Sequence, residues 1–520
     1  MPEKTQIAAK DIIFETEKNM LAIPAKLVKA YSIDINGDAV YESPLNVISN
    51  GKVIPVKTTL LYDAKTQDST IYVDNSEGIN KGDLLIINKS EYVVISEISD
   101  LKITLSHKLD NDHQAGNTVE KVITFELFEG KNLQEHILYL GHEEILNLKE
   151  KAYILIGIKP FIKDSLESAS VLWEYWGEDD NKKLGWHNLN IKQPLKAIID
   201  FIEGIFNIDV IVLEKDKIGE IKKHKVNEKE SLWIRCRVKD RLVKEDLLSQ
   251  IKIDYLLITS LPWFDLNMGI AGLTGIQADR AFHNDIPLEL TLEDTSENFT
   301  NSVYPFGNIP RLFDTFYIAS KEAFSKKGAN IILKFNITPP STGSTDLRLS
   351  WEYWNGKGWQ VLTIIKDETN RFLQPGDKKV EFNCPEDIEE TEVSGQKNYW
   401  IRTRIISGDY GKEKFVKGVN DTWIINTGDI KPPKFNNLTI IYIPKPQSAR
   451  YCFAYNNLMF RDVTEEGKDI DSKSFNPFMV IDDAHQSMYL GFDKKLEKGP
   501  ICIFFSIEEQ LWDEKLPAIE

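Results

Sequence analysis

Two glutamates at matched positions are the first residues whose type and spacing could do chemistry. Glu174 sits in Trp173-Glu174-Tyr175-Trp176 and Glu352 in Trp351-Glu352-Tyr353-Trp354. Paired carboxylates cleave glycosidic bonds when they stand ~5–10 Å apart. Here each Glu carries the same local surroundings, so the pattern reads as one Glu per repeat, with an Arg partner inside its own module. Other candidates are weaker. His142-Glu143-Glu144 has no second His four residues on and is not a zincin motif. His107 and His113 flank Asp110-Asn111-Asp112, which could touch a cation but reads first as a polar turn. Cys236, Cys384, Cys452 and Cys502 are scattered, with no CxxC, and read as buried thiols. No nucleophile elbow, phosphate-binding loop or dinucleotide fingerprint is present. Exposed tryptophans can stack on sugar rings, but Trp173, Trp176, Trp351 and Trp354 are expected to fill sandwich cores. The expectation is a chain with no catalytic residues, cofactor or metal.

The elements that position these residues are repeated. The two Trp-Glu-Tyr-Trp copies are 178 residues apart (173 to 351). Each is followed by Gly-Trp, at Trp186 and Trp359. Leu232-Trp233-Ile234-Arg235-Cys236-Arg237 matches Tyr399-Trp400-Ile401-Arg402-Thr403-Arg404. Upstream, Leu138-Tyr139-Leu140-Gly141 matches Phe316-Tyr317-Ile318-Ala319, and a third start appears at Met488-Tyr489-Leu490-Gly491. Apolar runs follow all three, the last being Ile501-Cys502-Ile503-Phe504-Phe505. Every block alternates like a strand, with Trp351 and Tyr353 on one face and Glu352 and Trp354 on the other. Asn355-Gly356-Lys357-Gly358 is hairpin-turn chemistry.

With 520 residues, 42% of them hydrophobic, the chain is too long for one core. A net charge of -17 repels phosphate backbones, so nucleic acid is not an expected partner. No apolar run approaches the ~18 residues of a membrane span, and no export signal is expected. The fold class expected is mainly β: tandem repeated β-sandwich modules, a small N-terminal β domain and few short helices. The boundaries read as an N-terminal segment (1–52) and a small barrel or sandwich (53–130). Repeat 1 (131–250), a bridge (251–310), repeat 2 (311–406), a second bridge (407–483) and the start of a truncated third repeat (484–520) follow. Short helices are expected over 193–205 and 242–250. The bridges open with similar strands, Ile253–Ile258 and Leu438–Ile443, which return the chain to a sheet.

The order of these motifs resembles the large baseplate assembly proteins of phage-tail-like contractile injection systems. Val303-Tyr304-Pro305-Phe306-Gly307 and Lys321-Glu322-Ala323-Phe324 add to the likeness, as do Phe14-Glu15-Thr16 and Ile23-Pro24-Ala25-Lys26-Leu27. The resemblance implies a structural wedge subunit in a six-fold baseplate. Its implied partners are a second wedge subunit, hub and spike, and sheath, with no direct membrane insertion. Assembly in the cytoplasm, into a particle released or membrane-anchored, is also implied. The family carries no catalytic residues. It implies a structural role for the repeat signature: Tyr139, Trp173, Glu174, Trp176, Trp186, Trp233, Arg235 and Arg237, their counterparts Tyr317, Trp351, Glu352, Trp354, Trp359, Trp400, Arg402 and Arg404, and Tyr489. The chain departs from the family in stopping inside its third repeat. The competing expectation is a multi-module carbohydrate-binding or adhesive protein.

Overall fold

A computed structural model of the chain describes residues 6–9, 12–15, 25, 27–42, 48–49, 52–53, 56–122, 127–128, 130–159, 166–167, 170–193, 209–243, 246–264, 275–289, 303–338, 341–418, 422–468 and 473–496. It is mainly β and multi-modular, with two short helices, Leu247–Gln250 and Lys321–Phe324, among these residues. No helix among them is long and apolar enough to cross a membrane. The helix expected over 193–205 (beyond Gln193), Cys502 and the run 501–505 lie outside the described residues. Two compact units form: 1–133 with 482–520, and 134–481.

In the first unit, the runs read at Thr70, Leu84, Tyr92 and Ile103 are strands of a six-stranded sheet. Its ends meet, since Leu61 N donates to Tyr72 O at 2.8 Å and Asp74 N to Thr59 O at 2.9 Å. The sheet therefore closes as a small barrel, filled by Leu85, Ile87, Val93, Ile95 and Ile103. Closure leaves fewer open edges. The same unit holds a hairpin, Leu27–Asp34 with Ala39–Glu42, whose first strand pairs with Ser487–Phe492.

The second unit is built from the two repeats. In repeat 1 a tyrosine strand (Ile137–Gly141) pairs with an arginine strand (Lys229–Val238), which pairs with the Trp-Glu strand (Val171–Glu178). Repeat 2 reproduces this with Thr315–Ala319, Gln396–Ser407 and Arg348–Trp354. Residue 139 faces 235, which faces 174; residue 317 faces 402, which faces 352. In repeat 1 the strand Leu184–Lys192 runs unbroken between the two halves of the sandwich, so ten strands form one curled sheet. Repeat 2 breaks this strand into Trp359–Val361 and Ile364–Asp367, and two sheets result. The turn before it closes as its sequence demands. Gly356 takes φ +84, and the Asn355 side chain accepts from Lys357 N and Gly358 N, both at 3.0 Å.

The repeats are not beads in series, which is what the bridges alone suggest. Each bridge first completes its own repeat: Tyr255–Pro262 pairs with Ala152–Lys159, and Lys434–Ile443 with Asn330–Thr338. Each then crosses over. Arg280–His283, which follows repeat 1, pairs with the tyrosine strand of repeat 2. Tyr451–Asn456, which follows repeat 2, pairs with the tyrosine strand of repeat 1. Single bridges are reciprocal as well: Ile258 with Gln447 answers the pairing of Ile276 with Ile440, and Ile253 with Phe475 answers Val303 with Phe435. The two repeats are thus interlaced about an approximate two-fold, and one apolar core runs through both.

Interlacing predicts remote destabilisation. Phe453 is fully buried against Trp233, with ring centroids 5.5 Å apart. Phe453→Ala is expected to cost ~3–5 kcal/mol. In hydrogen exchange, protection should fall over Ile137–Gly141 and Lys229–Val238. Independent modules would lose protection in Gln396–Ser407 instead.

Candidate functional site

The signature residues assemble into one cross-strand row per repeat. Arg235 Nε donates to Glu174 Oε2 at 2.8 Å, and Arg402 Nε to Glu352 Oε2 at 2.7 Å. A second arginine joins each: Arg237 lies 3.5 Å from Glu174, and Arg404 donates to Glu352 at 3.0 Å. The guanidinium of Arg235 lies 4.0 Å from the centroid of the Trp186 ring, and that of Arg402 4.0 Å from Trp359. The tyrosines complete the layer. Tyr139 meets Trp233 edge-on at 6.4 Å, and Tyr317 meets Trp400 edge-on at 6.3 Å. Glu174 and Glu352 therefore sit in separate rows, each neutralised by arginines, and not across a shared cleft.

The tryptophan expectation needs correcting for two of four residues. Trp173 and Trp351 fill the cores. Trp176 and Trp354 are half-buried on the opposite face, because strand alternation puts them beside the glutamate. They lean edge-on against Trp186 and Trp359, at 5.6 and 5.8 Å. Trp176 is also stacked on His224 at 4.0 Å. Arginine and histidine thus cover the faces a sugar would need on Trp186, Trp359 and Trp176.

Burial raises the pKa of the Glu352 carboxyl, but hydrogen bonds and charge from Arg402, with Ser350 and Arg404, outweigh it and hold the group below 4.5. A carboxylate depressed in the folded state contributes stability above pH ~4.5 that is lost as pH falls through its folded value. Removing one partner of a buried pair costs ~3–5 kcal/mol. Arg402→Met is therefore expected to destabilise strongly at pH 7, in urea unfolding. The penalty should shrink below pH 4, where Glu352 becomes protonated and no longer needs a counter-charge.

The weaker motifs resolve into structural roles. His142 Nδ1 accepts from Ile145 N at 3.2 Å, so the ring is neutral and caps a turn. Burial lowers its pKa to about 4. Ser320, its repeat-2 counterpart 178 residues on, does the same job by accepting from Ala323 N at 3.2 Å. The loop between His107 and His113 wraps a carboxylate instead of a cation. Glu91 accepts from Asp110 N at 2.6 Å, Asn111 N at 3.1 Å and His113 Nε2 at 2.7 Å. Cys236, Cys384 and Cys452 are free and buried, and burial pushes all three thiols up, away from reactive thiolate. Among the described residues, no group of three or more His, Cys, Asp or Glu is placed to hold a metal ion.

The seam between the repeats carries the chemistry that the sequence hid. Lys326 is buried, and its Nζ donates to the carbonyls of Glu144 and Asn147, both at 3.0 Å. Glu322 accepts from Lys149 N at 2.6 Å and from the Tyr442 hydroxyl at 2.6 Å. Lys215 is equally buried and donates to Glu150 O at 3.0 Å. Beside the seam lies a cleft of about 860 Å³, lined by both repeats. Its charges compensate one another, as in Lys223–Glu143 at 3.4 Å and Lys149–Asp279 at 3.8 Å. It gathers no acid–base or nucleophilic pair. In sequence, Lys326-Lys327 reads as surface charge, and nothing local marks the first as buried.

Burial lowers both lysines from 10.5 to about 8. The unfolded chain therefore holds more protons between these values. Stability should rise as pH climbs from 8 to 10.5, by up to ~1.4 kcal/mol per pH unit for each lysine. Lys326→Met should lose its share of that rise in denaturant unfolding at pH 7.5 and 9.5. An unchanged slope would contradict the charged, buried state.

No protein-family model and no curated protein matches this sequence.

Proposed function

We propose that the chain is a structural wedge component of the baseplate of a phage-tail-like contractile injection system, linking hub, neighbouring wedges and sheath. The motif order of the sequence supports this reading, and so does the mechanics of the second unit. Its repeats are joined by strands that cross between them, so pulling on one repeat shears hydrogen-bonded ladders in the other. A subunit that must transmit force without coming apart needs that property.

The observation that carries the proposal is a protruding apolar hairpin with no counterpart in repeat 1. Lys414–Lys417 pairs only with Trp423–Asn426 among the described residues. Phe415 and Ile425 face each other on one side, Val416 and Ile424 on the other. Trp423 is 68% exposed and Phe415 67%. A hairpin apolar on both faces suits insertion between neighbouring subunits, where a buried Trp anchors binding. The sugar-binding reading gains nothing from the signature tryptophans, whose rings are largely covered by Arg and His.

The test is purification of particles from the source and location of this chain by electron microscopy. It should co-sediment with sheath and tube proteins. Trp423→Ser is expected to cost ~2 kcal/mol or more at an interface, roughly 30-fold in incorporation, while leaving thermal stability unchanged. Recovery of the chain free in the medium, bound to glycan through Trp354 or Trp359, would overturn the proposal.

A further inference from the structure

The tyrosine strand occurs three times, and two copies show what it is built to hold. Each complete copy lies between two neighbours. On one edge is the exchanged strand, with Phe453 opposite Tyr139 and Phe282 opposite Tyr317. On the other edge is the arginine strand, with Arg235 opposite Tyr139 and Arg402 opposite Tyr317. The third copy, Ser487–Phe492, has the first neighbour in the same register: Tyr31 stands opposite Tyr489, and Lys29 opposite Gly491. That neighbour is again the first strand of a short hairpin, as it is in both repeats. Among the described residues, the second edge has no strand.

Three features of the third copy fit a missing arginine strand. Tyr489 is 49% exposed, against 8% for Tyr139. Met488 and Leu490 are half-exposed, where Leu138, Leu140, Phe316 and Ile318 are buried. Gly491 stands where Gly141 receives the Trp233 ring; a Cβ on Gly141 would lie 2.7 Å from that ring. Gly491 has only Lys29 beside it. The 520 residues contain two Trp-Ile-Arg-x-Arg strands, and both are held on two edges within the repeats.

We propose that Ser487–Phe492 is an acceptor edge for a β-strand of the Trp-Ile-Arg-x-Arg type supplied by a partner polypeptide. The donor runs antiparallel, with its Trp against Gly491, the following Ile against Leu490 and the Arg against Tyr489. Backbone hydrogen bonds supply affinity, and the Trp and Arg positions set the register. The fold already brings such strands from afar, since 137–141 is completed by 451–456 and 27–34 by 487–492. The inference does not depend on the particle in which the chain works.

The probe is a labelled synthetic peptide, Gln-Lys-Asn-Tyr-Trp-Ile-Arg-Thr-Arg-Ile-Ile-Ser, identical to the repeat-2 donor Gln396–Ser407, added to the full chain. Fluorescence anisotropy should show saturable binding, and hydrogen exchange should show new protection over Ser487–Phe492. Replacing the peptide's Trp by Ala should weaken binding at least tenfold, and replacing its first Arg by Ala should do so as well. These changes leave the protein itself untouched. No saturation, equal binding by the Ala peptides, or protection confined to Ile137–Gly141 and Thr315–Ala319 would each overturn the proposal. So would a dimer of the chain alone that already protects Ser487–Phe492, because the acceptor would then be filled by a second copy.

Discussion

A buried carboxylate held between arginines on a central strand is the constraint from which the repeat follows. Glu352 is buried, and Arg402 and Arg404 reach it from one face of the neighbouring strand. A slip of one residue would turn Ile401 and Thr403 outward and drive both arginines into the apolar core. It would also leave the glutamate buried without its counter-charges, a penalty larger than the pair is worth when made. The ion pair therefore contributes less as net stability than as register. Trp359 reinforces it, since its ring covers the guanidinium only in this alignment.

Once the register is fixed, the outer edge of the tyrosine strand is committed as well. Its tyrosine points to the Arg face, and its aliphatic residues point to the core. Any strand that pairs there must place an aromatic opposite the tyrosine. Phe453 and Phe282 do so in the interlaced pair. The crossing strands come from the far repeat, with contacts spanning more than 300 residues, as between His136 Nδ1 and Asn456 Oδ1 at 2.7 Å. Such pairings require long loops to close before they stabilise anything, so formation of this unit is slow and its parts are interdependent. One continuous core through both repeats points the same way.

Much of this was legible in the sequence, and the reasons for the rest are physical. Large residues at period two, repeated with their turns, marked the Trp-Glu, tyrosine and arginine strands. The barrel strands were equally plain, because each is a short β-branched run between polar turns. The exchanged hairpins were not. Arg280-Ala281-Phe282-His283, Tyr451-Cys452-Phe453-Ala454 and Lys29-Ala30-Tyr31-Ser32 share little beyond an aromatic at one position. That is all their register requires, since backbone hydrogen bonds carry the rest. The bridges were accordingly read as connectors. Lys326 and Lys215 were invisible for another reason. Their burial depends on carbonyls from turns 144–150, remote in the chain and brought close only by the packing of the seam.

The seam also explains where the repeats had to diverge. Near an approximate two-fold, equivalent positions face one another, so identical residues would set like against like. A glutamate would meet a glutamate, and a lysine a lysine, in a region that water does not reach. Complementarity there requires that the copies differ. Leu148 stands where repeat 2 has Lys326, and His142 where it has Ser320. Glu144 and Glu322 keep the same side chain but not the same role. Glu322 accepts from the backbone at Lys149 and from Tyr442, whereas burial holds the Glu144 carboxyl above its ordinary value. Matching residues therefore persist along the rows, which lie inside each repeat and need no partner of opposite kind across the axis. They fade at the seam, where likeness would be a repulsion. The pattern of sameness and difference along the chain maps the interlaced geometry: similarity traces the rows, and its loss traces the axis.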